Sequence, residues 1–224
     1  MIELRKVVKT YPVGDGGLTV LDGMDLHIKP HEFTAILGAS GSGKSTMLHI
    51  MGLIHAPTAG QVVINGTDTS AMNDRDRSSF RGRTLGFVFQ SFHLIPHLTV
   101  LENVELPLFY QQVPANERHD RARACLEQVN LSHRHDHLPS QLSGGECQRT
   151  AIARALIAET PLLFADEPTG NLDVKTGEQI FTLLRNLHSR GKTVVLITHD
   201  EAMAQRMDRR VRISDGLIVE DSTA

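Results

Sequence analysis

Thr34-Ala35-Ile36-Leu37-Gly38-Ala39-Ser40-Gly41-Ser42-Gly43-Lys44-Ser45 decides how this chain is read. Thr34 to Leu37 form a short apolar strand, and Met47-Leu48-His49-Ile50-Met51 continues beyond the glycines as a helix. Strand, glycine loop and helix therefore follow in the order of a P-loop. Glycines let the backbone bend tightly with its N–H groups turned inward. A helix starting near Gly43 adds unpaired amides and the positive end of its dipole. Polyphosphate is the guest that suits such a cradle. Lys44 supplies a mobile point charge for β- and γ-phosphates, and the Ser45 hydroxyl is placed to ligate Mg²⁺. A plain Gly/Ser loop with a solvated lysine would not require the flanking strand and helix.

The remaining composition sets outer limits. With 224 residues, 40% of them hydrophobic, the chain can bury a sizeable core as one large domain or two lobes. A net charge of −3 gives no global basic field, so neither nucleic acid nor an anionic membrane surface is expected as a partner. Two cysteines, Cys125 and Cys147, make no disulfide framework, and the N-terminal residues do not read as a leader. A reducing cytoplasm is expected. The longest apolar runs, such as Val194-Val195-Leu196-Ile197, fall far short of the roughly 20 residues that span a bilayer. A membrane role requires a partner.

Strands alternate with helices along the chain. Residues 2 to 8 and 18 to 28 read as strands around a Gly14-Asp15-Gly16-Gly17 turn, and Gln61-Val62-Val63-Ile64 with Asn65-Gly66 reads as a hairpin. These predict an antiparallel patch. Leu85 to Phe89, Leu162 to Ala165 and Thr193 to Thr198 are near-continuously apolar, as buried parallel strands are. Between the first two lies a mostly helical stretch, residues 91–158, which includes Ala115 to Val129 and the segment after Gly145. We read it as an inserted helical lobe on a core formed by 1–90 and 159–224. Val211 to Val219 reads as a hairpin on Asp215-Gly216, with no further domain expected after it. The fold class is thus α/β, with a mainly parallel sheet, an N-terminal antiparallel patch and a helical insertion.

Candidate functional residues follow the carboxyl ends of four apolar strands: Gly38, Gln90, Asp166-Glu167 and His199. In an open α/β sheet that edge is where ligands bind. Asp166 is suited to hold Mg²⁺, usually through a water, and Gln90 offers a neutral carbonyl ligand. Glu167 is then free to take the proton of an attacking water, while His199 positions it or donates to the γ-phosphate. Taken singly, these residues could merely end strands or begin a turn before Pro168.

Leu142-Ser143-Gly144-Gly145-Glu146 contains a capping box ahead of the helical Cys147 to Arg154. Capping alone would account for Ser143 and Glu146. Two glycines in a first turn lower helix propensity, which is better explained if another group approaches the backbone closely, an anion being the obvious candidate. The chain then has two anion-receiving helix starts but one P-loop lysine, and two copies arranged head to tail could share two nucleotides.

With these motifs the sequence resembles the nucleotide-binding subunit of an ABC transporter, from Tyr11 to about Glu220. The resemblance rests on the P-loop, Gln90, Ser143 to Glu146, Phe164-Ala165-Asp166-Glu167, Asn171-Leu172-Asp173 and His199. It implies ATP and Mg²⁺ as cofactors, with Tyr11 stacked on adenine and Gly38, Ser40 to Lys44, Ser45 and Thr46 around the phosphates. It further implies Asp173 in a loop crossing the dimer interface, and Ser143, Gly144, Gly145 and Glu146 on the γ-phosphate held by the other copy. Phe87 to Pro96 and Ala165 to Asp173 look most like the LolD/MacB branch. That branch implies integral membrane permease subunits with a large extracytoplasmic domain, at the cytoplasmic face of a bacterial inner membrane. Phe92, Leu94, Ile95 and Leu98 would line the groove for a cytoplasmic helix of the permease.

The resemblance implies an ATPase that drives export or extraction. One alternative is an ATPase that signals through a membrane partner without transport. A soluble ATPase of DNA repair or translation is disfavoured by the single cassette and the lack of a basic surplus. Many members have glutamine at Glu146 and at Cys147. Cys147 near a helix start is a candidate for a lowered pKa and redox sensitivity, but a passive packing role is favoured. His133-Arg134-His135-Asp136-His137 resembles a metal tract, but without a cysteine partner it is expected to be a solvated loop.

Overall fold

The computed structural model describes residues 1–14 and 16–223; Asp15, within the expected first turn, lies outside them. The chain forms two compact units, one from residues 1–81 together with 192 onward, the other from Gly82–Gly191.

In the first unit, β1 (Ile2–Val13) pairs antiparallel with β2 (Gly16–Ile28), in register Ile2 to Ile28, and with β4 (Ala59–Ile64), Ile2 to Ile64. Alternation aims Ile2, Leu4, Leu26, Ile28, Val62 and Ile64 into the core. The expected hairpin leads to β5 (Thr67–Asp68) through Asn65 and Gly66, at φ 51° and 77°, the left-handed pair of a tight hairpin turn. A second sheet contains β3 (Phe33–Leu37), buried throughout, parallel to β8 (Thr193–Ile197) on one side and to β9 (Arg209–Ser214) on the other. β10 (Leu217–Thr223) closes it antiparallel to β9 over Asp215-Gly216. The helix after the glycines is α1 (Lys44–Met51), with Met47, Leu48, Ile50 and Met51 buried.

In the second unit, β6 (Leu85–Phe89) and β7 (Leu162–Asp166) run parallel. Helices α3 (Val100–Tyr110), α4 (Ala115–Gln128) and α5 (Gly144–Leu156) pack on one another, and α6 (Val174–Ser189) buries Ile180, Phe181, Leu184 and Leu187 at helical spacing. Two helices longer than a single turn escaped the sequence reading. One is α2 (Asp74–Thr84), which buries only Thr84 and so shows no apolar periodicity, and the other is α6.

The His133–His137 tract is more structured than a solvated loop. Ser132–Arg134 form a 3-10 turn, and the carbonyls of His137 and His135 accept from Val100 and Leu101 at 2.8 and 3.0 Å, closing the start of α3. Arg134 bonds His137 Nε2 at 3.0 Å.

Candidate functional site

α1 begins behind Gly43 at φ 102°, a left-handed N-cap with no side-chain cap. A Ser or Asp there would place its own oxygen on the first amides; glycine leaves them to an outside acceptor. Gly41 is also left-handed, at φ 81°. A Cβ on Gly38 would stand 2.5 Å from Ser42 Oγ and overlap the Ile213 carbonyl. The loop is closed by Ser42 N–H on the Ala39 carbonyl at 3.2 Å and by Gly216 N–H on the Ser42 carbonyl at 3.0 Å. The Ser42 hydroxyl is buried without a partner among the described residues, a cost that a bound acceptor would remove. Lys44 Nζ donates to the carbonyls of Gly38 and Ala39 at 2.8 and 2.7 Å, bending back across the loop. Ser40 and Ser45 are exposed, and Thr46 is half-buried.

His199 leaves the neighbouring strand at the same end. Ile36 is level with Ile197, and Thr198 N–H donates to the Ile36 carbonyl at 3.1 Å. His199 is exposed, and Asp200 caps the short α7 (Glu201–Ala204). Tyr11, half-buried on β1, places its hydroxyl 3.1 Å from His55 Nδ1.

The second unit gathers the other strand-end residues. Phe89 pairs with Asp166, so Gln90 and Glu167 leave adjacent parallel strands together. Gln90 Nε2 donates to Asn171 Oδ1 at 3.4 Å, and Asn171 Nδ2 donates to the Gln90 carbonyl at 3.1 Å. Glu167 is held at φ 45° in a turn closed by Gly170 N–H on its carbonyl at 3.0 Å. A non-glycine residue there is strained, and such strain collects at functional positions.

The capping box is formed as expected. Ser143 Oγ accepts from Glu146 N–H at 3.3 Å, and Glu146 Oε2 accepts the Ser143 N–H and hydroxyl, each at 2.8 Å. Arg134 Nε reaches Glu146 Oε1 at 2.8 Å. The backbone bond from Ser143, aided by its hydroxyl and by Arg134, lowers the Glu146 carboxyl to about 2. Both Glu146 oxygens are thereby engaged within the chain.

The close approach inferred from the glycine pair is partly internal. A Cβ on buried Gly145 would overlap the Thr176 methyl of α6, whereas one on exposed Gly144 would come no nearer than 3.3 Å, to the Leu172 side chain. Thr176 is in turn fixed by Asp173, the N-cap of α6, whose carboxylate accepts Thr176 N–H at 3.0 Å. The Thr176 side chain first, and then this backbone bond, lower the Asp173 carboxyl below its usual range. The redox argument for Cys147 fails: burial first, then neighbouring Glu146, raises its pKa, so the helix start does not activate it.

Two residues that shape this region were missed. Arg154 donates to the carbonyls of Phe92 and His93, and buried Asn103 accepts from Ile95 N–H at 2.7 Å while donating to the carbonyls of Ile95, Leu98 and Thr99. A lone polar residue in an otherwise apolar helix face is the signal that could have found both, since such groups are placed to satisfy backbone.

The sequence profile of the ABC transporter family matches residues 21–170, from β2 through the P-loop and α5 to the turn after Glu167. The chain belongs to the ABC transporter family. As an ABC ATPase it hydrolyses ATP and works with Mg²⁺. The first unit offers that pair an uncapped α1 start, an orphaned Ser42 hydroxyl and the Ser45 hydroxyl, and the second unit, taken by itself, an amide at Gln90 and a carboxylate at Asp166. Over 218 residues this ABC ATPase is 50% identical to an uncharacterized ABC transporter ATP-binding protein of Thermotoga maritima, covering 97% of this chain and 93% of that one. It is 48% identical over 223 residues to the macrolide export ATP-binding/permease protein MacB of Brucella melitensis, but spans only 34% of that relative's length. A solved dimer of the ATP-binding cassette MJ0796, in a post-hydrolysis state with ADP and phosphate, superimposes with a TM-score of 0.92 at 45% identity, over 100% of this chain and 98% of that one. Among the described residues of this ABC ATPase, no helix is long and apolar enough to cross a membrane.

Proposed function

We propose that the chain is the ATP-hydrolysing subunit of a bacterial export or extraction complex. It works as a head-to-tail pair of copies, attached to the cytoplasmic face of the inner membrane by permease partners with a large extracytoplasmic domain. The observation that carries this reading is the presence of two unlike helix starts, glycine-capped α1 and serine-capped α5, beside a single P-loop lysine. Head-to-tail pairing gives each nucleotide one start of each kind. The dimeric form of MJ0796 and the combined ATP-binding/permease name of MacB support the pairing and the membrane partner.

In this reading Tyr11 stacks on adenine, while Gly38, Ser40, Gly41, Ser42, Gly43 and Thr46 surround the phosphates and Lys44 neutralises them. Ser45, Gln90 and Asp166 would hold Mg²⁺, which supplies positive charge to the phosphate oxygens. Glu167, aimed by its left-handed backbone, takes the proton of the attacking water, and His199 orients the pair. Ser143, Gly144 and Gly145 of the other copy present donors to the γ-phosphate, with Glu146 holding the Ser143 hydroxyl. Asp173 lies in the loop at the dimer interface. Binding closes the pair and hydrolysis reopens it. Residues 91–158 act as the helical lobe that passes the motion on, against a nucleotide-binding lobe of 1–90 and 159–224. Half-buried Phe92, Leu94, Ile95 and Leu98 receive a cytoplasmic helix of the permease.

Glu167→Gln tests this reading. ATP binding is retained, turnover falls by about 100-fold or more, and the ATP-bound dimer persists in gel filtration. Unchanged turnover would reject Glu167 as the base. Affinity purification of this variant with ATP and Mg²⁺ in mild detergent should bring down a membrane subunit; soluble proteins or nucleic acid alone would reject the transport reading.

A further inference from the structure

Tyr11 sits in a cluster of side chains that stacking alone does not require. Besides the 3.1 Å contact of its hydroxyl with His55 Nδ1, its ring meets the His55 ring edge-on at 6.0 Å. Lys9 Nζ lies 5.1 Å from its centroid, and that ammonium is fixed by the Ala56 carbonyl at 2.8 Å. His55 is held in turn from α1. Its N–H donates to the His49 carbonyl at 3.0 Å, and the two imidazoles meet edge-on at 5.1 Å. His49 stands on the same helix that begins at Lys44. A continuous set of contacts therefore runs from the P-loop helix through His49 and His55 to Tyr11, within one compact unit.

A tyrosine stacks through its ring face, and its hydroxyl is not needed for that. A hydroxyl anchor fixes where the far end of the ring lies, while Lys9 on one flank and His55 on another restrict its plane, which the broad χ2 of tyrosine leaves soft. We propose that His55 is a positioning residue for nucleotide binding, which holds the Tyr11 ring at a set distance from the phosphate cradle through its contacts with His49. The proposal rests on Tyr11 being the adenine platform. Burial, then the nearby His49, Lys9 and Arg77, lower the His55 pKa. The lowered pKa favours the neutral imidazole, and in the tautomer protonated at Nε2 its Nδ1 accepts the Tyr11 O–H.

The test uses ATP calorimetry and steady-state ATPase assays on the full chain at neutral pH, with Tyr11→Phe, His55→Ala, their combination, and Tyr11→Ala. Tyr11→Phe removes one oxygen from a half-buried ring, so it folds even if His55→Ala does not. Each of the first two should weaken ATP binding by about three- to tenfold, the loss of one hydrogen bond, with kcat within about twofold. The combined variant should be no worse than either, because both remove the same bond. His55→Gln, which keeps an acceptor, should recover part of the affinity. If Tyr11→Ala weakens binding while Tyr11→Phe and His55→Ala bind like the original chain, the positioning role is overturned and the platform stands. Additive losses in the combined variant overturn it equally. If Tyr11→Ala itself binds ATP undiminished, the platform reading falls and the proposal falls with it.

Discussion

Arg154, near the end of α5, donates from Nη2 to the Phe92 carbonyl at 2.7 Å and from Nη1 to the His93 carbonyl at 2.6 Å. Phe92 and His93 are consecutive non-glycine residues at φ 59° and 48°. Each costs about 1–2 kcal/mol in that region and persists only where its surroundings over-determine it. Arg154 supplies one restraint and Asn103 another, through its bonds to Ile95, Leu98 and Thr99. The helix that starts at Ser143 is thereby tied to the segment following Gln90.

Arg154→Ala should release that segment. Losing two charge-assisted bonds costs about 1.5–3 kcal/mol, and amides 91–99 should exchange with solvent at least about tenfold faster. Arg154→Lys, a point charge without the fork, should fall in between. Hydrogen exchange read by mass spectrometry checks both, and unchanged protection would show that Asn103 alone holds the segment.

Gly145→Ala should destabilise the fold by about 1–3 kcal/mol through overlap with the Thr176 methyl, although alanine is the better helix former. Adding Thr176→Ser deletes that methyl and should recover most of the loss. Chemical denaturation of the single and double variants decides it. A Gly145→Ala chain as stable as the original would place the tight contact elsewhere.

Glu146 carries a pH dependence of known sign. Its carboxyl is lowered from an ordinary 4.5 to about 2, so its contribution is complete above about 4.5 and lost as pH falls from there through about 2. Glu146→Gln keeps an acceptor for Ser143 but not the charge facing Arg134. It should flatten the stability profile across that window and cost about 1 kcal/mol or less at neutral pH, because solvent screens part of the pair. Urea melts at several acidic pH values test this.

Lys44→Ala should leave the unliganded fold nearly unchanged, since its acceptors are carbonyls on the loop itself. The rise in Tm on adding ATP, which follows from binding the native state alone, should largely disappear. Differential scanning fluorimetry with and without ATP reads the difference.

The elements that carry their own local signals were legible in the sequence. β3 and β8 are apolar but for one threonine each, the hairpins over Asn65-Gly66 and Asp215-Gly216 use the dipeptides that left-handed turns favour, and α5 announces itself by its capping box. Helix α2 went unread because it buries only Thr84, and its Asp and Arg run has no apolar stripe. For Cys147 the packing reading held and the redox alternative did not: a helix start predicts activation, but burial and Glu146 act in the opposite direction, and burial is not a property of local sequence.

By itself the sequence determined the order of strand, glycine loop and helix, which residues follow each strand end, and the family, because backbone conformations that only glycine tolerates and the pairing of a cap with its N3 partner are short-range effects. Tertiary structure alone decided which groups meet. It set the Thr176 methyl against Gly145, turned Glu146 toward Arg134, brought His55 to the Tyr11 hydroxyl, and put Arg154 on the carbonyls of two left-handed residues. Those contacts join residues far apart along the chain, and their partners are selected by packing, which no local pattern encodes.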